Sequence, residues 1–401
     1  MLRTSIGIHT FMMSMFFSWA QAKELLDIFK EYSKSTEIIK YRGIGKERTI
    51  KNPYGNTFTV YLHYEIKFTE WGKGITWVIS FIETKKEFKY GRIDVIFNPR
   101  LFSGDKNFIT ASNETHIDEI PNKYDSIVKE ISDEIPPFSY YKLTRVDYCV
   151  NFDLKELRLL IPTERMMELM KRSNDYRHFK ERLVYCKKSH RWEPEENCFY
   201  LITQSVNINC YWKYPHLKEY YPDTLDIEDS KDVIRFEIQC KSDKIGDLRK
   251  VAEAILQQKY LPTRRPSEFE IMKQLLSDAQ SKHVVFDYFD KVIRPGNYYT
   301  LEAAISKCGS RKTLIETLKL INQKRGIHKA KKFLENEHKQ AMESGDNWAS
   351  QEALSNLNSF SYSLRELAEM GINPVTIPKE WNIGSEPGLM VAYEIMMEPA
   401  R

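Results

Sequence analysis

The chain has no Gly-x-Gly-x-x-Gly turn and no Gly-Lys-Ser/Thr loop, so neither a dinucleotide-binding unit nor an ATPase phosphate loop is expected. Its six cysteines stand alone at 149, 186, 198, 210, 240 and 308, with no Cys-x-x-Cys pair and no zinc-type Cys/His spacing. They read as thiols in a reducing cytoplasm, several serving as small apolar residues in strands. The nine histidines never form His-x-His, so a paired-histidine metal site is missing, and His63 and His216 read as ordinary polar residues. Net charge is weak: 60 basic against 56 acidic residues give +4, so any nucleic-acid surface must come from local clustering. No internal repeat or low-complexity tract is present. The apolar-rich stretch from Ile6 to Ala20 is too short to span a bilayer and is interrupted by His9, Thr10, Ser14 and Ser18. Ala20-Gln-Ala22 faintly suggests a signal cleavage site, but an amphipathic stretch from Ala20 to Tyr32 follows directly. We read a strand leading into a helix at the start of a soluble domain.

What is present is an ordinary globular balance, 42% hydrophobic and 29% charged over 401 residues, enough for two or three domains. The 13% aromatic share serves packing first and base stacking second. Strand-like runs lie at Thr57–His63, Ile75–Ile82, Arg92–Phe97 and Leu143–Phe152, with Asn98-Pro99 ending the third. Two more, Phe199–Thr203 and Val233–Cys240, flank Ile208–Lys218. Helices are expected over Ile117–Ile135, stopped by Pro136-Pro137, and over Thr163–Asn174. From Lys244 the pattern turns helical: Ile245–Tyr260, Ser267–Phe289, Arg311–Arg325 capped by Ser310 and stopped by Gly326, and Gln351–Met370. Asp223–Asp232 reads as a solvated acidic connector. The expectation is an α+β fold: a mostly antiparallel sheet with flanking helices over 1–243, then a linker and helix region at 244–266 around Pro262 and Pro266. A mainly α-helical domain would follow at 267–380, then an irregular tail at 381–401.

Three strands carry the form Arg-apolar-acid: Arg92-Ile-Asp94, Arg145-Val-Asp147 and Arg235-Phe-Glu237. Residues at i and i+2 share a strand face, so each pair can brace the sheet. Carboxylates converging in one sheet can also bind Mg²⁺ or Mn²⁺, which prefer oxygen ligands and stabilise charge at phosphorus. A tyrosine phenol can attack phosphorus and hold the product as a covalent ester. Tyr211 and Tyr214 flank Lys213, and on a helix they would share a face. Packing is the commoner role for any one of 23 tyrosines. The segment Arg311–Lys332 contains Arg311, Lys312, Lys319, Lys324, Arg325, Lys329, Lys331 and Lys332 with one acid, Glu316. It reads as a solvated face or a phosphate-contacting one.

The ordered set Asn98–Gly104, Thr144-Arg-Val-Asp147, Tyr211-Trp-Lys213 with Leu217-Lys-Glu219, and Ile234-Arg-Phe-Glu237 resembles the filamentous-phage gene II replication proteins. Looser similarity continues through Ser310–Gly326 and Asn358–Pro374. The resemblance implies a rolling-circle replication initiator with a Rep-nuclease-like fold, nicking and closing origin DNA with Mg²⁺. It implies Tyr211 as nucleophile and Lys213 beside it as the charge-stabilising cation. Asp147 and Glu237, and more loosely Asp94, would be metal ligands; Tyr214 has no counterpart. That family also does without the paired histidines. Implied partners are double- and single-stranded origin DNA with a host helicase and polymerase, in a bacterial cytoplasm and with no membrane. Two other readings stay open: a mobilisation relaxase with the same chemistry at a transfer origin, and a non-catalytic DNA-binding protein whose Arg-x-acid pairs only brace the sheet.

Overall fold

The computed structural model describes all residues except 1–2, 37, 45–46, 52–56, 85–88, 106, 176–178, 187–190, 194–196, 261–263 and 398–401. Pro262 and the side chains of His63 and Cys186 lie outside the described set. The fold is α+β: a large antiparallel sheet and, among the described residues, 13 α-helices, most of them in the C-terminal part. The chain divides into two compact units, one of Ile6–Cys149 with Glu237–His283, the other of Met1–Ser5 with Val150–Phe236 and Val284–Arg401.

In the first unit the strands are β1 (Ser5–Ser18), β2 (Ile39–Ile44), β3 (Glu47–Lys51), β4 (Thr57–Glu70), β5 (Ile75–Thr84), β6 (Lys89–Phe97) and β7 (Lys142–Asp153), except Ser5 and residues 150–153, which fall in the second. Their order is β2-β4-β5-β6-β1-β7, with β3 also pairing β4. The apolar-rich N-terminal run is therefore a central strand, and its alternation decides what each face meets. Phe11 lies opposite Phe97 and Met13 opposite Val95, all buried, while Ser14 lies opposite Asp94 on the other face. The helix Trp19–Ser35 follows at once because Ser18 caps it in a box with Gln21. It buries Ala22, Leu25, Leu26 and Phe29, the i, i+3, i+4, i+7 stripe of an amphipathic helix. The Phe29 ring sits 5.3 Å from Phe68 and 5.1 Å from Trp77. Close approach is possible because Gly91 faces Ala22; a Cβ there would lie 2.1 Å from the Ala22 Cβ. Tyr124 and Tyr141 share a buried hydroxyl contact of 3.0 Å, and burial pushes both phenols well above their usual range.

The second unit holds β8 (Lys180–Glu181), β9 (Val184–Cys186), β10 (Arg191–Glu193), β11 (Cys198–Ile202), β12 (Val206–Trp212) and the start of β13 (Val233–Cys240). Within it the order runs β13-β12-β11-β8, and β9 pairs β10 separately. It also holds the helices Thr163–Arg172, Lys213–Tyr220, Leu301–Cys308, Lys312–Lys324, Ile327–Glu343, Asn347–Glu369 and Leu389–Met397, and residues 284–292 of the helix Asp278–Val292.

Several expected elements differ. The first helix of the middle region is shorter than read, Ile120–Ile131, with Pro121 in its first turn, where a missing N–H costs nothing. The single helix expected over 267–289 is two, Glu268–Leu275 and Asp278–Val292, because the Ser277 hydroxyl accepts from Gln280 N and starts a new turn. Ser310 is not a cap: Arg311 precedes Lys312–Lys324 and no side chain caps that end. The stop after this helix is Arg325 in the left-handed region, and Gly326 opens the next helix. The tail from Trp381 is not irregular, since Ser385–Glu386 pairs with Tyr298–Tyr299 and Leu389–Met397 is helical. The five described cysteines are buried and form no disulfide.

Candidate functional site

A polar row crosses the first unit's sheet on the face opposite Phe11 and Phe97. Ser14 Oγ of β1 donates to Asp94 Oδ1 of β6 at 2.5 Å, and Arg92 Nη2 reaches Asp94 Oδ2 at 2.7 Å. The Ser14 hydroxyl also lies 2.6 Å from Thr144 Oγ1 of β7. One turn of the pleat away, Thr10 Oγ1 donates to Asp147 Oδ2. Arg145 Nη2 donates to the same oxygen at 3.0 Å and to Thr10 Oγ1 at 3.2 Å. Next to Thr10, His9 Nδ1 lies 2.9 Å from Glu237 Oε1. A 14-residue strand that interleaves His9, Thr10 and Ser14 with apolar neighbours thus meets all three acids picked out from the sequence. The bracing role is realised for Arg92–Asp94 and Arg145–Asp147. In the other unit, the third arginine, Arg235, donates Nε to Asn151 Oδ1 at 2.6 Å.

The acids are not equivalent. Asp94 is 3% exposed with both oxygens engaged, whereas Asp147, 6% exposed, has Oδ1 buried with no hydrogen-bond partner among the described residues. An unsatisfied buried carboxylate oxygen is costly and rare in a folded chain. It is the kind of oxygen a hard cation takes up, so this residue fits Mg²⁺ or Mn²⁺. Among the described residues, no group of three His, Cys, Asp or Glu side chains gathers as a metal cage. An ion here would draw most of its shell from water and a bound phosphate, as Mg²⁺ commonly does.

Tyr211 and Lys213 lie in the second unit, whereas Asp94, Asp147 and Glu237 lie in the first. Tyr211 is not on a helix with Tyr214. It is the next-to-last residue of β12, opposite Cys198, and Tyr214 follows in the first turn of Lys213–Tyr220, so the expected shared helical face does not exist. The β-branched and apolar run Val206–Trp212 carries the extended conformation further than the tyrosine spacing suggested. Tyr211 packs its ring 4.7 Å from His216, which in turn lies 4.8 Å from Tyr220. Lys213 is buried. Tyr214 instead packs on Trp212 at 5.8 Å, with Lys218 Nζ 4.7 Å above its ring. Beside Tyr211 opens a cleft of about 470 Å³ lined by Arg182, Tyr200, Asn209, Tyr211, His216 and Tyr220. Asn209 Nδ2 donates to the Tyr200 hydroxyl at 2.8 Å, and Arg182 lies over the Tyr200 ring at 5.4 Å. Flat rings with a nearby guanidinium suit an unpaired base and its phosphate.

The basic segment runs over the helix Lys312–Lys324 and into the next, Ile327–Glu343. Arg311, Lys312, Lys319, Arg325, Lys329 and Lys332 are exposed, while Lys324 and Lys331 are half-buried. Arg311 pairs with Glu366 at 2.9 Å, and Lys324 covers the Phe333 ring at 3.4 Å, so these two are partly spent on the fold. Sequence reasoning missed His9, Thr10 and Ser14 as site residues. The signal was their placement inside an otherwise apolar strand.

No protein-family model matches the chain. No curated protein matches it either. Among solved structures it is similar to a rolling circle replication initiator protein from Geobacillus stearothermophilus, at 13% identity. That match covers 69% of this chain and 99% of the other. The TM-score is 0.26, and overlap at that level carries no argument for fold or activity. No helix among the described residues is long and apolar enough to cross a membrane.

Proposed function

We propose that the chain is a rolling-circle replication initiator that nicks and closes origin DNA through a tyrosine. The observation that carries this reading is the polar row on β1, where a buried carboxylate oxygen of Asp147 has no partner among the described residues, beside two other strand acids. Asp147, with Glu237 and Asp94, would hold Mg²⁺ or Mn²⁺, which when bound neutralises charge building on a phosphate oxygen. Tyr211 is assigned as the nucleophile: its phenol oxygen bonds to phosphorus, the 3′ oxygen leaves, and the 5′ phosphate stays on tyrosine. Lys213 offsets phosphate charge. The ring-lined cleft beside Tyr211 suits single-stranded DNA, and the lysine-rich helices suit duplex DNA. The freed 3′ hydroxyl would serve a host polymerase, with a host helicase, in the bacterial cytoplasm.

The test is incubation with a supercoiled plasmid carrying the DNA that flanks the chain's own reading frame, with Mg²⁺. The reading expects open circles and a protein–DNA adduct that survives denaturing gels. Full nicking by Tyr211→Phe removes Tyr211 as nucleophile, and metal-independent binding without any adduct leaves only a DNA-binding protein. Nicking confined to a transfer origin would favour the mobilisation reading.

A further inference from the structure

We infer that Leu301–Lys324 is a helix–turn–helix whose second helix reads duplex DNA through the major groove. This rests on the duplex-DNA side of the reading above and adds which residues choose the sequence. The helices Leu301–Cys308 and Lys312–Lys324 are joined by only three residues, Gly309, Ser310 and Arg311. Gly309 has φ 61° and ψ −127°, a conformation open to glycine and strained for other residues, so the turn is built on it. Turns of three to four residues, often with a glycine, join the helices of this motif. The two helices are locked by Ala304 and Cys308 against Leu314 and Leu318, with Leu367 and Ile372 behind them. The small side chains at 304 and 308 are what let the second helix approach closely.

The buried stripe of the second helix is Leu314, Thr317, Leu318 and Ile321. Its opposite side exposes Lys312, Glu316, Lys319 and Gln323, spaced four, three and four apart, and Thr313 beside them. The five residues from Gly309 to Thr313 are all exposed, with Arg311 tied back to Glu366. No side chain caps this helix start, which leaves its first N–H groups for phosphate. Lys312 and Lys319 make no ion pair with any described residue. The stripe has the side-chain chemistry of base reading, with Lys319 placed for phosphate: Lys312 can donate to guanine, Glu316 accept from cytosine, Gln323 pair with adenine, and the Thr313 methyl meet thymine. A recognition helix contacts bases with its N-terminal residues, where Lys312, Thr313 and Glu316 stand. Cations on the same stripe favour nucleic acid over an acidic-poor protein surface as the occupant.

The experiment is selection from a library of random-sequence duplexes with the full chain, followed by sequencing. Wild type should enrich one short motif. Glu316→Gln and Thr313→Val should change the preferred base at one or two positions, by roughly 5- to 150-fold per position. Lys319→Ala should weaken all sequences alike and lower the salt slope by about 1. These side chains are exposed, so folding is checked simply by circular dichroism. The inference is overturned if wild type enriches no motif, or if folded Glu316→Gln and Thr313→Val keep the wild-type motif. It is also overturned if the three variants lose a protein partner but no DNA preference. An adduct formed without an enriched motif removes this inference alone, whereas a motif without an adduct removes only the nicking reading.

Discussion

Asp147 separates a bracing carboxylate from a working one, because the two roles predict opposite outcomes for a paired substitution. Its Oδ2 takes Arg145 at 3.0 Å and the Thr10 hydroxyl, while Oδ1 takes nothing among the described residues. Removing one partner of a buried ion pair costs about 3–5 kcal/mol, since the other charge stays behind without compensation. Arg145 keeps 22% of its side chain in solvent, so Asp147→Leu should cost roughly 2–3 kcal/mol once screening is allowed for. Leucine keeps the branched shape of aspartate, which limits any cavity term. Adding Arg145→Met removes the stranded cation, and the double variant should return to within about 1 kcal/mol of wild type. Urea midpoints of the four proteins close the cycle. On the proposed function the double variant regains stability and still forms no protein–DNA adduct. A stable double variant that nicks like wild type would show that the carboxylate only braces the sheet. An undamaged Asp147→Leu single would refute the ion-pair energetics themselves.

Gly309→Ala should destabilise by about 1–3 kcal/mol because alanine must adopt the glycine-favoured turn, read as a lower urea midpoint. Gly91→Ala should cost about 1–3 kcal/mol from overlap with Ala22, and Ala22→Gly in the same chain should recover part of the loss. Burial pushes the Glu386 carboxyl above its usual range, against the opposing bond from Leu160 N at 3.1 Å. The folded chain therefore binds that proton more tightly than the unfolded one. The group's stabilising contribution is present at low pH and is lost as pH rises through its folded pKa. Glu386→Gln should then be more stable than wild type at about pH 7.5, with the gap closing near pH 4, by urea midpoints at both. Chelation with EDTA should stop adduct formation and leave thermal unfolding unchanged, since no metal cage is found among the described residues.

The strands at Leu143–Phe152 and Val233–Cys240 were legible because long β-branched and aromatic runs have few alternatives, and both lie within a residue of the observed limits at each end. The Arg-x-acid spacing also carried over, since i and i+2 residues share a face in any strand, and two of the pairs close directly. The rest of the row was hidden because His9, Thr10 and Ser14 find partners about 80 to more than 200 residues away, and no local pattern names a cross-strand neighbour. The Tyr211–Tyr214 spacing misled because helical periodicity applies only if both residues are helical, and β12 runs through Trp212. The helix Ile327–Glu343 was obscured by its lysines. Its buried stripe is only Ile327, Ala330 and Leu334.

Peptide mapping of the covalent product tests the central claim most directly. Trypsin cuts after Arg191 and Lys213, so residues 192–213, with Tyr211, part from residues 214–218, with Tyr214. After reaction with DNA and Mg²⁺ and nuclease trimming, mass spectrometry should find a nucleotide 5′ phosphate on Tyr211 within the first peptide. A modified Tyr214, or nicked DNA with no modified tyrosine at all, would contradict the account.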